Sequence, residues 1–363
     1  MMVNNQVRGD SVKRVLTLSL ALLLIAGCSG GRASRPASSQ PTTPPAQTEP
    51  AKPDSPPAKP AEPEKPPEPG LTDRPLYLLA PPAKPVWDGP FTVIVENSPG
   101  SRPQTGLEKA DLVVELLAES EVTRFVTLWW SAPAAKIGPV RSARSGFIAM
   151  AGAYGTPLVH SGGSAEAIAT LQSEWGDRDL DEIYGAGAYF KRSADRDPPH
   201  NLYTSTDLLT AAISDRKLEM SPVPTTERSD SAPPAKPVAQ VKVNWHRLHS
   251  VRWDWKDDHY LRFEHEGEPH SLEGTGQIQA KNLVFLRITG ENRGYYLGWT
   301  LDFAPGGHAT VISGGRLWEG TWSLGDGGFV ITPNTGEKVP LLAPGTTWVH
   351  LITQESDFEL VQP

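Results

Sequence analysis

Arginines and histidines between positions 124 and 201 have the types and order of an anion-binding surface. Arg124 follows a candidate hairpin turn, and Arg141 and Arg144 bracket a candidate helix start. His160 leads into Ser161-Gly162-Gly163-Ser164, and Arg192, Arg196, His200 and Asn201 follow a glycine-bearing stretch. A strand that passes through a glycine turn into a helix aims several backbone N–H groups one way, and these attract negative charge. Guanidinium groups add paired donors that match carboxylate or phosphate oxygens. The chemistry expected is capture of an anion, and structural ion pairing is the competing reading.

Catalysis is the second possibility. His160 or His200 as a base with Ser161 or Ser164 as nucleophile needs a geometry that adjacent residues of a strand, pointing to opposite faces, do not supply locally. No Gly-x-Ser-x-Gly frame surrounds Ser164. Glu115 and Glu119 would stand about 13 Å apart along one strand face, beyond the roughly 5–10 Å of paired glycosidase carboxylates. On a helix they would lie one turn apart. They are the weak candidates for a metal, with His160 or His200, yet no His-Glu-x-x-His run or calcium loop is present. The plainer expectation is that both glutamates pair with Arg124, Arg141 or Arg144. No cofactor is expected.

The nine histidines do not cluster along the sequence. His246, His249, His259, His265, His270 and His308 are scattered through a β-rich stretch and read as surface and packing residues. Trp245, Trp253, Trp255, Trp299, Trp318, Trp322 and Trp348 could line a carbohydrate surface, but filling a β core is the favoured reading.

The elements that must hold these residues fall into two sets. Residues 85–220 read as a mixed α/β or α+β domain. Strands are expected at 91–97, 111–119, 123–130 and 156–160, and helices at 142–154, at 166–175 with Ser164 as cap, and from 207 to 218. A helix over 106–118 competes with the second strand, because Leu, Glu and Ala are good helix formers. Strand alternation would place Val114, Leu116 and Ala118 on one face and Val113, Glu115, Leu117 and Glu119 on the other. Residues 221–236 read as a linker. Residues 237–363 read as a smaller β-rich domain of short strands, open or barrel-like.

The start of the chain has a different job. Arg8, Lys13 and Arg14 precede an apolar run from Val15 to Ala26, and Cys28, the sole cysteine of 363 residues, follows Gly27. That layout reads as a signal peptide over residues 1–28, with Cys28 as the acylated residue. The thiol would carry a diacylglyceryl group, whose two acyl chains, palmitate among them, are enough to hold the protein on a membrane. No intrachain disulfide is then possible. Residues 29–84, rich in Pro, Ala, Glu and Lys, have too few apolar side chains to offset the entropy of ordering and read as a disordered tether. The formal charge of −8 is spread along the chain without a basic stripe, so no nucleic-acid partner is expected.

Taken in order, Arg102 to Leu107, Ala110 to Glu115, Thr123-Arg124-Phe125, Ile137 to Arg144, His160 to Ser164 and Pro199 to Thr204 resemble the N-terminal domain of the YerB-like bacterial lipoproteins. Phe263, Thr275-Gly276, Asn282 and Pro344 to Trp348 resemble its C-terminal β domain. Ser120-Glu121-Val122 departs from the glycine pair and isoleucine frequent in relatives. The resemblance implies an anchored two-domain lipoprotein, and the family supplies no assigned catalytic residues. The resulting expectation is a lipoprotein on the extracytoplasmic face of the cell membrane, binding an anionic envelope ligand or an envelope protein partner. An envelope hydrolase or transferase using His160 and His200, and a non-catalytic adaptor, are the alternatives.

Overall fold

The structure, a computed structural model, describes residues 70–362 except 120–121, 233–235, 247–248, 266 and 295–297, and only the backbone of His246. The signal segment, Cys28 and most of the proline-rich stretch lie outside the described residues.

In chain order the main elements begin with β1 (Leu76–Tyr77), β2 (Phe91–Glu96), β3 (Leu112–Leu117) and β4 (Thr123–Trp129). Then come α1 (Ser145–Ala153), β5 (Leu158–His160), α2 (Ala165–Glu174), β6 (Asp179–Asp181) and α3 (Thr206–Arg216). The β-rich remainder starts with β7 (Gln240–His246), β8 (His249–Lys256), β9 (His259–Phe263), β10 (Gln279–Ala280) and β11 (Asn282–Arg287). It ends with β12 (Gly307–Ser313), β13 (Arg316–Gly325), β14 (Gly328–Pro333), β15 (Thr347–Ile352) and β16 (Asp357–Val361). The first set is mixed α/β and the second β-rich, as the composition predicts.

An 11-stranded sheet runs in the order β1-β14-β13-β12-β11-β15-β3-β4-β2-β5-β6. Strand β15 lies parallel to both β11 and β3, so the late, β-rich segment and the early, mixed segment share this sheet. A second sheet, β10-β9-β8-β7-β16, is antiparallel throughout. The β-rich strands thus divide between two sheets instead of closing as a barrel.

Every residue of β2, β3, β4 and β15 is buried, the mark of a sheet covered on both faces. Val113, Leu117, Phe125, Phe285 and Trp348 pack with Val241, Trp253 and Tyr260 of the second sheet and Leu209 of α3. Val114, Leu116, Val126 and Leu286 face the opposite way and pack with Phe147 and Ala151 of α1 and Leu171 of α2. Successive side chains of β3 therefore serve different cores, which settles the choice between strand and helix there. Among the tryptophans, 245, 253, 318, 322 and 348 are buried and 255 and 299 partly so, which is the core-filling outcome.

Two boundaries shift. The tether was expected to run to residue 84, yet β1 joins the large sheet and Leu76, Leu78 and Leu79 are buried. That short apolar run gains more from burial than its flanking prolines suggest. The expected linker is likewise fastened to the fold: Thr226 N–H donates to Leu79 O and Ser229 N–H to Leu342 O, while Arg228 Nη2 donates to Leu78 O.

Candidate functional site

Three neighbouring strands, β2, β5 and β6, run parallel and end on Glu96, His160 and Asp181. Parallel strands expose the start of the next connection at their carboxyl ends, the usual place for ligands on α/β sheets. Antiparallel β4 begins at the same edge, and its register sets Arg124 beside Glu96.

Two groups of side chains meet along this edge. In the first, Glu96 forms an ion pair with Arg141, whose Nε stands 3.1 Å from one oxygen without a hydrogen bond, while His200 Nδ1 lies 3.0 Å from the other. Glu119 holds Arg144 Nη2 at 2.8 Å and also pairs with Arg124 Nη2. Arg124 donates through Nη1 to Ser142 O, and Arg144 through Nη1 to Ala143 O. Burial pushes the Arg124 guanidinium down to about 10; Glu119 resists that fall, and Arg144 and Arg141 add to it. Three guanidinium groups thus stand against two carboxylates. Arg141 is the least committed, since its Nη groups have no hydrogen-bond partner among the described residues and its side chain is 24% exposed.

The second group is sealed at its centre, His160 and Asp181, and open at its rim, where Arg192 is 46% exposed. His160 is fully buried, with Nε2 at 2.7 Å from Asp179 Oδ1 and Nδ1 at 2.9 Å from Gly162 O. Asp181 Oδ1 accepts Gly162 N–H and Ile183 N–H, which fixes the turn. Gly162 has φ +62°, a left-handed conformation that favours glycine. Ser161 Oγ donates to Glu182, which also holds Arg192, and Arg192 donates to Asn201. Ser164 is the N-cap of α2, accepting Ala167 N–H, as its position predicted. Gly163 lies against Ala143 O. The two groups touch through the backbone, where Ser161 N–H donates to Arg141 O and Ala143 N–H to Gly162 O.

Glu115 is nowhere near a shared site with Glu119. It sits under the second sheet, where Arg262 grips both carboxylate oxygens at 2.8 and 3.0 Å. Thr123 and Asn97 donate to its Oε1 at 2.8 and 3.1 Å. Parallel pairing places His350 next to Glu115, with Nδ1 at 3.1 Å from Oε2. Trp253 Nε1–H donates to His350 Nε2, so the neutral imidazole carries its proton on Nδ1, toward the carboxylate. His249 lies 3.3 Å from Glu115 Oε1, and Arg262 Nε donates to His270 Nδ1. Phe125, Trp253 and Trp348 put their rings 5.1 to 5.5 Å from the guanidinium. Burial alone would raise the Glu115 carboxyl; Arg262, His249 and His350 hold it well below the usual range.

Two expectations change here. Glu115 pairs with Arg262 instead of Arg124, Arg141 or Arg144, because β3 holds it against the second sheet, whereas Glu119 lies beyond the end of that strand. Histidines scattered along the sequence do meet: His249, His270 and His350 surround one ion pair because β8, the segment after β9, and β15 converge on it. The available signal was a lone charge inside an apolar run, Leu112 to Leu117, and another in Leu261-Arg262-Phe263, each of which demands a buried partner. Among the described residues, no group of three or more His, Cys, Asp or Glu is placed to hold a metal ion.

Comparison with known proteins agrees with this layout. Residues 79–219 match the family described as protein of unknown function (DUF3048) N-terminal domain, and residues 240–349 match its C-terminal domain. The chain belongs to this family. A DUF3048 relative from Bacillus subtilis (strain 168), named "Putative lipoprotein YerB", is 29% identical over 278 residues, covering 72% of this chain and 81% of that protein. The crystal structure of YerB protein from Bacillus subtilis superposes with a TM-score of 0.66 at 26% identity, covering 75% of this chain and 94% of that one. The DUF3048 N-terminal match contains Glu96, Glu119 and all the arginines of the carboxyl edge, whereas Glu115 and Arg262 come from different matches. No described helix is long and apolar enough to cross a membrane.

Proposed function

We propose that this chain is a lipid-anchored extracytoplasmic protein that binds a carboxylate- or phosphate-bearing component of the cell envelope at the carboxyl edge of β2, β5 and β6. One observation carries the binding reading. Arg141 is ion-paired with Glu96, but no nitrogen of its guanidinium hydrogen-bonds to a described residue, which leaves it donors for a bidentate anion. Arg144 and His200 flank it, and α1 starts beside it at Ser145 without a side-chain cap. The lipoprotein name of the Bacillus relative and the apolar run before Cys28 support the anchor.

Titration of the full chain with glycerol-phosphate oligomers and with polygalacturonate tests the site. Binding should weaken with salt, and Arg141→Ala should cost tenfold or more, the worth of a charge-assisted hydrogen bond of about 1.5–3 kcal/mol. Equal affinity for the wild-type chain and folded Arg141→Ala and Arg144→Ala variants would remove the arginines from the proposal. Labelled palmitate should enter the chain and fail to enter Cys28→Ala.

A further inference from the structure

Beside the arginines, on the connection that follows β6, the chain leaves apolar surface in water. Ile183 and Tyr184 are each 59% exposed, the most of any large apolar side chains among the described residues. A lone exposed hydrophobe means little, but two adjoining ones at a charged site mark a contact surface. The residues that build the carboxyl edge also fix where they lie. Ser161 N–H donates to Arg141 O, Ser161 Oγ donates to Glu182 at 2.9 Å, and Ile183 follows Glu182 in the chain. A Cβ on Gly162 would stand 3.0 Å from Ile183 Cδ1, so this side chain overhangs the turn whose Gly162 O accepts Ala143 N–H. On the other side Glu182 holds Arg192, which donates to Asn201 beside His200.

The ledge is tied down from both ends. Asp181 Oδ1 accepts the Ile183 N–H at 2.9 Å. Arg216, reaching across from α3, donates Nη2 to Gly185 O at 2.9 Å and Nη1 to Asp179 O at 2.7 Å. Between these ties the backbone leaves helical geometry, with Tyr184 at φ −109°, ψ 47° and Gly185 at φ +112°, a conformation open to glycine. Neither side chain belongs to either core. A loop fastened in this way presents its side chains to a ligand with little ordering left to be done on binding.

We infer that Ile183 and Tyr184 form a platform for a sugar ring, and that the ligand of the carboxyl edge is an anionic glycan. Its carboxylate or phosphate sits on Arg141, and a neighbouring pyranose stacks on Tyr184. This rests on the anion-binding reading and narrows it. The face of a tyrosine ring carries partial negative charge and attracts the polarised C–H groups that a pyranose presents on one side. A charged glycan alternates charge and ring, and the edge offers guanidinium and aromatic surface side by side. An acyclic polyanion would satisfy the arginines and leave the platform wet. Two side chains bury too little apolar area to hold a bilayer, where binding scales with that area.

Calorimetric titration of the full chain with a galacturonate hexamer and an end-blocked glutamate hexamer tests this, because the two carry the same number of carboxylates and only one has rings. The galacturonate should bind about fivefold tighter, the worth of one aromatic contact. Tyr184→Ala should erase that preference and leave glutamate binding unchanged, Tyr184→Phe should keep it, and Arg141→Ala should weaken both ligands. Thermal unfolding of each variant confirms that it is folded. Equal binding of the two hexamers by the wild-type chain would overturn the platform while leaving anion binding intact. So would a folded Tyr184→Ala variant that keeps the preference or weakens both ligands alike. Binding of neither hexamer would overturn the anion-binding reading and the platform with it. Binding to phosphatidylglycerol vesicles that is lost in Tyr184→Ala, with no preference between hexamers, would assign the ledge to membrane contact and overturn the sugar platform.

Discussion

Glu115 and Glu96 are both buried carboxylates on strands of one sheet, and both hold an arginine, yet their surroundings differ in kind. Around Glu115 every participant is sealed: Arg262 is 0% exposed, its nitrogens all point at partners, and three aromatic rings cover it. Around Glu96 the carboxylate is sealed but its partners, Arg141 and His200, are 24% and 30% exposed. A closed ion pair fixes how two sheets meet, and an open one presents oriented charge to whatever approaches. What separates the sealed brace from the proposed binding site is unused donor capacity, because the residue types are the same.

The sharpest way to break that comparison is to empty each pair. Glu115→Ala leaves the buried Arg262 guanidinium with only Glu264, 3.6 Å from its Nε, as counter-charge, and urea unfolding should show a loss of about 3–5 kcal/mol. Replacing the pair together, Glu115→Leu with Arg262→Met, should recover much of it, since the pocket is otherwise apolar. Full stability in the single variant would mean that the pair braces nothing.

Titration gives an intermediate effect. Burial pushes His270 down to about 4 from its ordinary 6.5, against the opposing pull of Glu264. As pH falls the unfolded chain takes up that proton first, so the contribution of neutral His270 is complete above 6.5 and is lost between 6.5 and about 4. Burial would raise Glu264, but His270 and Arg262 bring it down to about 2, so its contribution, complete above about 4.5, disappears only as pH falls toward 2. Stability measured by urea midpoint should therefore decline below pH 6.5. His270→Gln, which keeps an acceptor for Arg262 without titrating, should flatten the part of the curve above 4. An unchanged slope would remove His270 from the account.

The smallest expected effect sharpens the comparison from the other side. Arg141→Ala should change unfolding stability by no more than about 0.5 kcal/mol, because its ion pair is partly exposed, while weakening anion binding. A large loss of stability would place Arg141 with Arg262 among the braces.

Much of this was legible in the sequence, for identifiable reasons. The strands around 91–96, 123–129 and 347–352 are dense in branched and aromatic residues, and Ser164 precedes a helical spacing it could cap. Local patterns of that kind survive folding because they are enforced locally. The arginines and histidines of the carboxyl edge were also legible as candidates, since Arg124 to Asn201 lie within one stretch of chain, but Glu96, the carboxylate that pairs with Arg141 and His200, was not among them. The Glu115 centre was not. Its partners Arg262 and His350 lie far along the chain, and only the parallel register of β15 against β3 brings His350 alongside.

The position of β15 has a consequence for how the molecule is made. This strand fills the slot between β11 and β3, so the hydrogen-bonding flank of β3 that faces away from β4 has no partner until residues 347–352 exist. A chain made N-terminus first must carry that raw flank, rich in Val and Leu, through nearly its whole synthesis. A protein truncated before β15 would be a sticky half-sheet, not a smaller working part. Late arrival of one strand makes completion of the chain the event that closes the fold.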